Sequence, residues 1–247
     1  MVRARNVLPG WRRQCAVFLT LVALSAFVLD MAPCFAAVVT NAPAGAASDN
    51  TLPGRAWTNP LNVRTSDNIR AQASLTRTTG PTPASQYLKA TNFSFNLPAN
   101  STVDGIVVGI ERSGALAATF RDRSVKISKG GAIAGTEQAS AEIWPTTATE
   151  SNRWYGASND LWGTAWTAAD INAPDFGAAI AVTNYSANNN ILAYVDYIRI
   201  AVYYSVPPSV NNDGGASNVT TSGAILNGQV SDWPSSPTAF FFWGPTD

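Results

Sequence analysis

The stretch ILAYVDYIRIAVYYS, residues 191–205, carries β-branched and aromatic side chains in near alternation and contains neither glycine nor proline. That pattern demands a long strand with one side against a core. Read at a period of two, Leu192, Tyr194, Ile198, Ile200, Val202 and Tyr204 share one face, interrupted by Asp196. Tyr197, Arg199 and Tyr203 line the other. A strand of this kind needs partners, so the rest of the chain must supply a sheet.

Upstream segments fit that demand. FGAAIAVTN alternates through Phe176, Ala178, Ile180 and Val182, and GIVVGIERSG sets Ile106, Val108 and Ile110 against Val107, Gly109 and Glu111. In SQYLKATNFSFNLP the apolar set is Tyr87, Phe93, Phe95 and Leu97. RSVKISKGG is a shorter strand ending in a Gly-Gly turn, QASAEIW is a further candidate, and NIRAQASLT and AWTNPLNV open the series. Pro60 confines the last of these to a sheet edge or a loop. Thr167 with Asp170 three positions on resembles a capping box, and Pro174 and Gly177 limit the helix to one or two turns. About eight strands with no long helix predict an all-β, jelly-roll-like antiparallel β-sandwich.

The first 36 residues read as a signal peptide. Arg3, Arg5, Arg12 and Arg13 precede the apolar run of residues 15–29, which is shorter than the roughly 20 residues of a membrane span. Small residues around Cys34 and Ala36 favour cleavage after Ala36. The expected destination is extracellular, cell-surface or periplasmic by the general secretory route, with no stable membrane span once the leader is removed. Residues 37–55 read as a flexible lead-in, 56–205 as the sandwich, 206–213 as a Pro-containing linker and 214–247 as a partial second domain.

Composition narrows the chemistry. Both cysteines, Cys15 and Cys34, lie in the leader, and the chain has no histidine. Zinc sites built on His and Cys and the Ser-His-Asp and Cys-His catalytic arrangements are therefore excluded. Charged residues form 13% of the chain, about half the roughly 25% usual for soluble domains, as fits an extracellular β protein. With 16 basic and 16 acidic residues there is no basic footprint for nucleic acid. Glycosidase chemistry needs a facing carboxylate pair, and no spacing among Glu111, Glu137, Glu142 and Glu150 singles one out, so a non-enzyme is expected.

The series WTNPLNV, YLKATNFSFNLP, VDGIVVGIERSG, DLWGTAWTAADINAPDFG and VDYIRIAVYYS resembles a β-sandwich module of bacterial exported proteins and phage tail or fibre proteins. The likeness covers about residues 57–205 and implies a fold and an exported setting rather than an activity. Asp67-Asn68 departs from the module's usual Asp-Gly at that turn. Farther on, Thr221 to Gly228 and Phe242 to Asp247 resemble two strand blocks of fibronectin type III-like and related immunoglobulin-like repeats. Such a domain needs about 90–100 residues, so the likeness implies a truncated repeat and a longer modular chain.

Aromatic residues crowd one region, and flat rings with polar handles suit stacking on sugars. The candidate ligand-binding residues are Trp154, Tyr155, Asn159, Trp162 and Trp166. Core packing is the competing role, with Trp162 and Trp166 plugging one end of the sandwich. No cofactor is expected. Ca²⁺ is the weaker alternative, gathered by turn carboxylates among Asp104, Asp122, Asp160, Asp170 and Asp175; Asp196 reads instead as an arginine's partner, with Arg199 or Arg112 at hand. The expected function is a non-catalytic binding or adhesion module for polysaccharide or a surface protein, with a structural spacer or fibre subunit as the alternative.

Overall fold

The computed structural model describes residues 37–76, 83–117, 119–186, 190–207, 209–212 and 214–231. The expected signal peptide and the Phe242–Asp247 block lie outside the described residues. The chain divides into two units at Val206, one spanning Ala36–Val206 and the other including Pro207–Asp247.

In the larger unit the strands are β1 (Ala37–Asn41), β2 (Gly45–Asp49), β3 (Ala71–Leu75), β4 (Tyr87–Thr91) and β5 (Thr102–Gly114). They continue with β6 (Phe120–Lys129), β7 (Ala132–Ala134), β8 (Ser151–Ala157), β9 (Gly177–Asn184) and β10 (Ile191–Ser205). One sheet runs β8-β5-β10, with β1 and β3 dividing the far edge of β10 between them. The other runs β2-β4-β9-β6-β7, and every pairing in both sheets is antiparallel. From β3 onward the chain crosses repeatedly between sheets, so that β3-β10-β5-β8 stands opposite β4-β9-β6-β7. That is the double Greek-key winding of a jelly roll.

The inner faces supply one core. Ile106, Val108 and Ile110 of β5 and Ile198, Ile200 and Val202 of β10 meet Leu88, Ile127, Ile180 and Val182 of the second sheet, all fully buried. Phe93 and Phe95 follow β4 in irregular backbone, with Asn92 at φ 57° and Ser94 at φ 54°, and Phe95 meets Phe176 edge-on with ring centroids 5.7 Å apart. Tyr87 does not share their face. It packs with Ala179 and Ala181 in a separate cluster, and its hydroxyl lies 2.7 Å from Ser124 Oγ.

Residues 37–55 are not a flexible lead-in. They form β1 and β2, one on an edge of each sheet. Edge strands can dock through ladder hydrogen bonds alone, so a small-residue segment without an apolar pattern suffices once an edge awaits it. AWTNPLNV forms no named strand; Pro60–Val63 is a single 3-10 turn. QASAEIW is irregular rather than a strand. The expected cap holds: α1 (Ala168–Asn172) begins with a reciprocal capping box between Thr167 and Asp170. No helix among the described residues is long and apolar enough to cross a membrane.

The register of β10 differs from simple alternation. A β-bulge lies between Val195 and Tyr197, where β10 faces β5. The inserted residue is Asp196. Ala193 and Val195 are therefore inward along with Ile198, Ile200 and Val202, whereas Leu192 and Tyr194 are only half-buried.

In the smaller unit, β11 (Ser209–Asn211) pairs with β14 (Gln229–Ser231), and β12 (Ala216–Ser217) with β13 (Ile225–Leu226), both antiparallel. β11 falls inside the expected linker 206–213.

Candidate functional site

The outer face of the first sheet gathers the most distinctive chemistry. Trp154 of β8, Gly109 of β5 and Arg199 of β10 are in register across three strands. Because Gly109 lacks a side chain, the Trp154 indole lies across β5; a Cβ there would come within 2.6 Å of the ring. The Arg199 guanidinium carbon sits 4.4 Å from the centroid of that ring, a cation–π contact. Trp154 nonetheless remains 47% exposed. The surrounding depression of about 430 Å³ is lined also by Val38 and Thr40 of β1, Val107 of β5 and Tyr203 of β10. Within it, Arg199 Nε is buried without a hydrogen-bond partner. The face offers an apolar ring, a fixed cation and an unused donor.

The five expected binding residues do not form one surface. Tyr155 and Trp162 are corrections, with 3% and 0% exposure. Successive residues of a strand face opposite ways, so Trp154 outside puts Tyr155 inside. Trp162 takes φ 56°, and its indole Nε1 donates to the Ile106 carbonyl at 2.9 Å. Trp166 is half-buried: its ring meets Phe176 edge-on at 5.3 Å, and its Nε1 donates to the Leu161 carbonyl. Asn159 is exposed in the turn after β8. The expected cluster reduces to Trp154.

Tyr155 belongs to a buried polar network. Asp122 pairs with Arg112 between the sheets, both buried, and also accepts from Trp144 Nε1 at 2.7 Å and the Tyr155 hydroxyl at 2.9 Å. Burial, reinforced by the Asp122 charge, pushes the Tyr155 phenol well above its usual range. The phenol is a hydrogen-bond donor inside the fold.

Of the five turn carboxylates expected to gather Ca²⁺, Asp122, Asp160, Asp170 and Asp104 have other partners. Asp160 accepts from Trp162 N and Gln138 Nε2, Asp170 caps α1, and Asp104 accepts from Ser205 Oγ at 3.3 Å. Asp196 is paired with neither Arg199 nor Arg112; its Oδ2 accepts from Asn68 N at 3.1 Å. Asn68 has φ 64°, a conformation open to Gly and tolerated by Asn, so the Asp67-Asn68 turn keeps a left-handed residue. Among the described residues, the carboxylates close enough to share one ion are Glu111, Glu150 and Asp196.

Sequence reasoning placed Gly109, Arg199 and Tyr203 on outward faces but left them out of the site. Gly109 carried the available signal, since glycine inside a strand marks a close approach by another group. No family model, curated protein or solved structure matches the chain.

Proposed function

We propose that the larger unit is a non-catalytic, exported binding module that holds glycans on the outer face of its first sheet. Trp154 carries this reading: it is a large exposed ring, fixed over Gly109 and beside Arg199 rather than free to rotate. An ordered indole offers a sugar an apolar platform at low conformational cost, and nearby guanidinium and phenol groups suit its hydroxyls. Exported setting and cell-surface adhesion are supported by the Arg-rich leader and by the motif likeness to exported and fibre-type modules. The smaller unit, with its likeness to immunoglobulin-like repeats, supports a modular chain.

Trp fluorescence titrated with a panel of soluble polysaccharides tests the reading. A saturable shift lost in Trp154→Ala, with unchanged far-ultraviolet circular dichroism, is the expected result. A flat response across the panel overturns it and favours the second reading, a spacer or fibre subunit. The burial of Tyr155 and Trp162 speaks for that alternative, because most of the aromatic cluster serves packing.

A further inference from the structure

Beyond the glycan reading, and independent of it, we infer that Glu111, Glu150 and Asp196 form a binding site for a divalent cation of the calcium class. One carboxylate oxygen from each residue lies within 4.8 Å of the others. The three come from different parts of the sheet: Glu111 from β5, Glu150 from the turn entering β8, and Asp196 from the bulge in β10. The bulge is the device that brings the third carboxylate in. Asp196 is inserted between two residues paired with β5, so its side chain escapes the alternation that would otherwise fix its direction.

A second observation points to a ligand. Asp196 is 1% exposed, and while its Oδ2 accepts from Asn68 N, its Oδ1 is buried without any partner. A buried carboxylate oxygen left unbonded is costly, and native structures rarely leave one so. Glu111 and Glu150 set two further carboxylates beside it.

Charge and chemistry suit a divalent ion. Arg70 grips Glu150, its Nε lying 2.9 Å from each carboxylate oxygen, and so offsets one of three negative charges. Two remain. Glu111 accepts no hydrogen bond among the described residues and is only half-buried, which leaves its oxygens available and lets water complete the shell. An all-oxygen set with flexible geometry fits Ca²⁺ better than Mg²⁺, which demands near-ideal octahedral ligands. Bound there, the ion would tie together the β10 bulge, β5 and the entry to β8.

Calcium titration of the full chain, freed of metal with chelator, tests the site by thermal melting and by Tb³⁺ luminescence. Tyr194 stands near enough to Arg70 for a cation–π contact at 5.9 Å and so can serve as a sensitiser. The expected result is a rise in Tm saturating with a Kd at or below about 10⁻³ M, with little response to Mg²⁺. Asp196→Asn and Glu111→Gln should each weaken Tb³⁺ binding at least tenfold. Without metal, Asp196→Asn removes like-charge repulsion, so its Tm should equal or exceed that of the metal-free parent, and misfolding cannot mimic the loss. No Ca²⁺ response in the parent overturns the proposal. Tb³⁺ binding that persists unchanged in both variants overturns it as well.

Discussion

The Arg199 guanidinium carbon lies 4.4 Å from the centre of the Trp154 ring, and the residue in register between them is Gly109. Each member explains another. Glycine clears the surface of β5, the indole occupies the clearing, and the cation covers the indole. The arrangement converts an exposed tryptophan on an edge strand into a fixed feature of the sheet.

Gly109→Val should therefore unseat the ring. Its Cβ would meet the indole at 2.6 Å, and although valine favours strands intrinsically, the clash should cost about 1–2 kcal/mol net. Near-ultraviolet circular dichroism should lose Trp intensity and emission should shift to the red. Any polysaccharide affinity should fall as far as in Trp154→Ala. Unchanged near-ultraviolet spectra would show that the ring does not rest on β5.

Removing Asp122 should do far greater damage than any change on the outer face. Its carboxylate accepts from Arg112 Nη1, Trp144 Nε1, the Tyr155 hydroxyl and Ser140 N at once. Asp122→Ala strands a buried guanidinium and should cost about 3–5 kcal/mol, whereas Arg112→Met with Asp122→Leu should recover part of that loss. Urea unfolding of the two singles and the double variant measures the coupling. A loss in the double variant equal to the sum of the two single losses would mean that the pair is not one unit.

Acid stability has an identifiable contributor in the second sheet. Burial pushes Asp49 upward, but hydrogen bonds from Lys89 and Thr51 outweigh it and lower its pKa to about 2. A carboxylate whose folded pKa lies below its unfolded value of 3.8 stabilises the fold above that value and loses the contribution as pH falls toward about 2. The Lys89–Asp49 pair joins β2 to β4 at 2.6 Å. Lys89→Met should lower stability by at most about 1 kcal/mol at pH 6 and flatten the decline between pH 4 and pH 2. Asp196 works in the opposite sense: its raised carboxyl favours folding in acid and loses that advantage as pH rises through its folded pKa.

Much of this fold was legible because the strands obey simple alternation. The alternation sets Ile106, Val108 and Ile110 on one side of the strand and Val107, Gly109 and Glu111 on the other, and the structure turns the first set into the core. The same rule failed at β10, where Asp196 is an extra residue and every position before it changes face. A polar residue breaking an apolar row was visible in the sequence, but a bulge is a property of two strands and β5 could not be aligned from sequence alone. The site was misjudged for a related reason. Proximity in sequence grouped Trp154, Tyr155, Trp162 and Trp166, while pairing between strands grouped Trp154 with Gly109 and Arg199.

The N-terminal edge gives the last test. β1 pairs residues 37–41 with residues 204–200 of β10, and Asn41 Nδ2 reaches across to the Phe93 carbonyl at 2.8 Å. Cleavage of the expected leader after Ala36 would leave β1 whole; removal of a few more residues would strip it. A chain starting at residue 44 should expose the ladder groups of Ile200 to Tyr204 that now face β1. Hydrogen exchange there should accelerate by orders of magnitude, and the bare edge should self-associate at raised concentration, as unpaired strands do. A chain starting at Ala37 should show neither effect. Equal protection in the two chains would mean that β1 adds nothing to the sheet, and the lead-in would again be a tether rather than a strand.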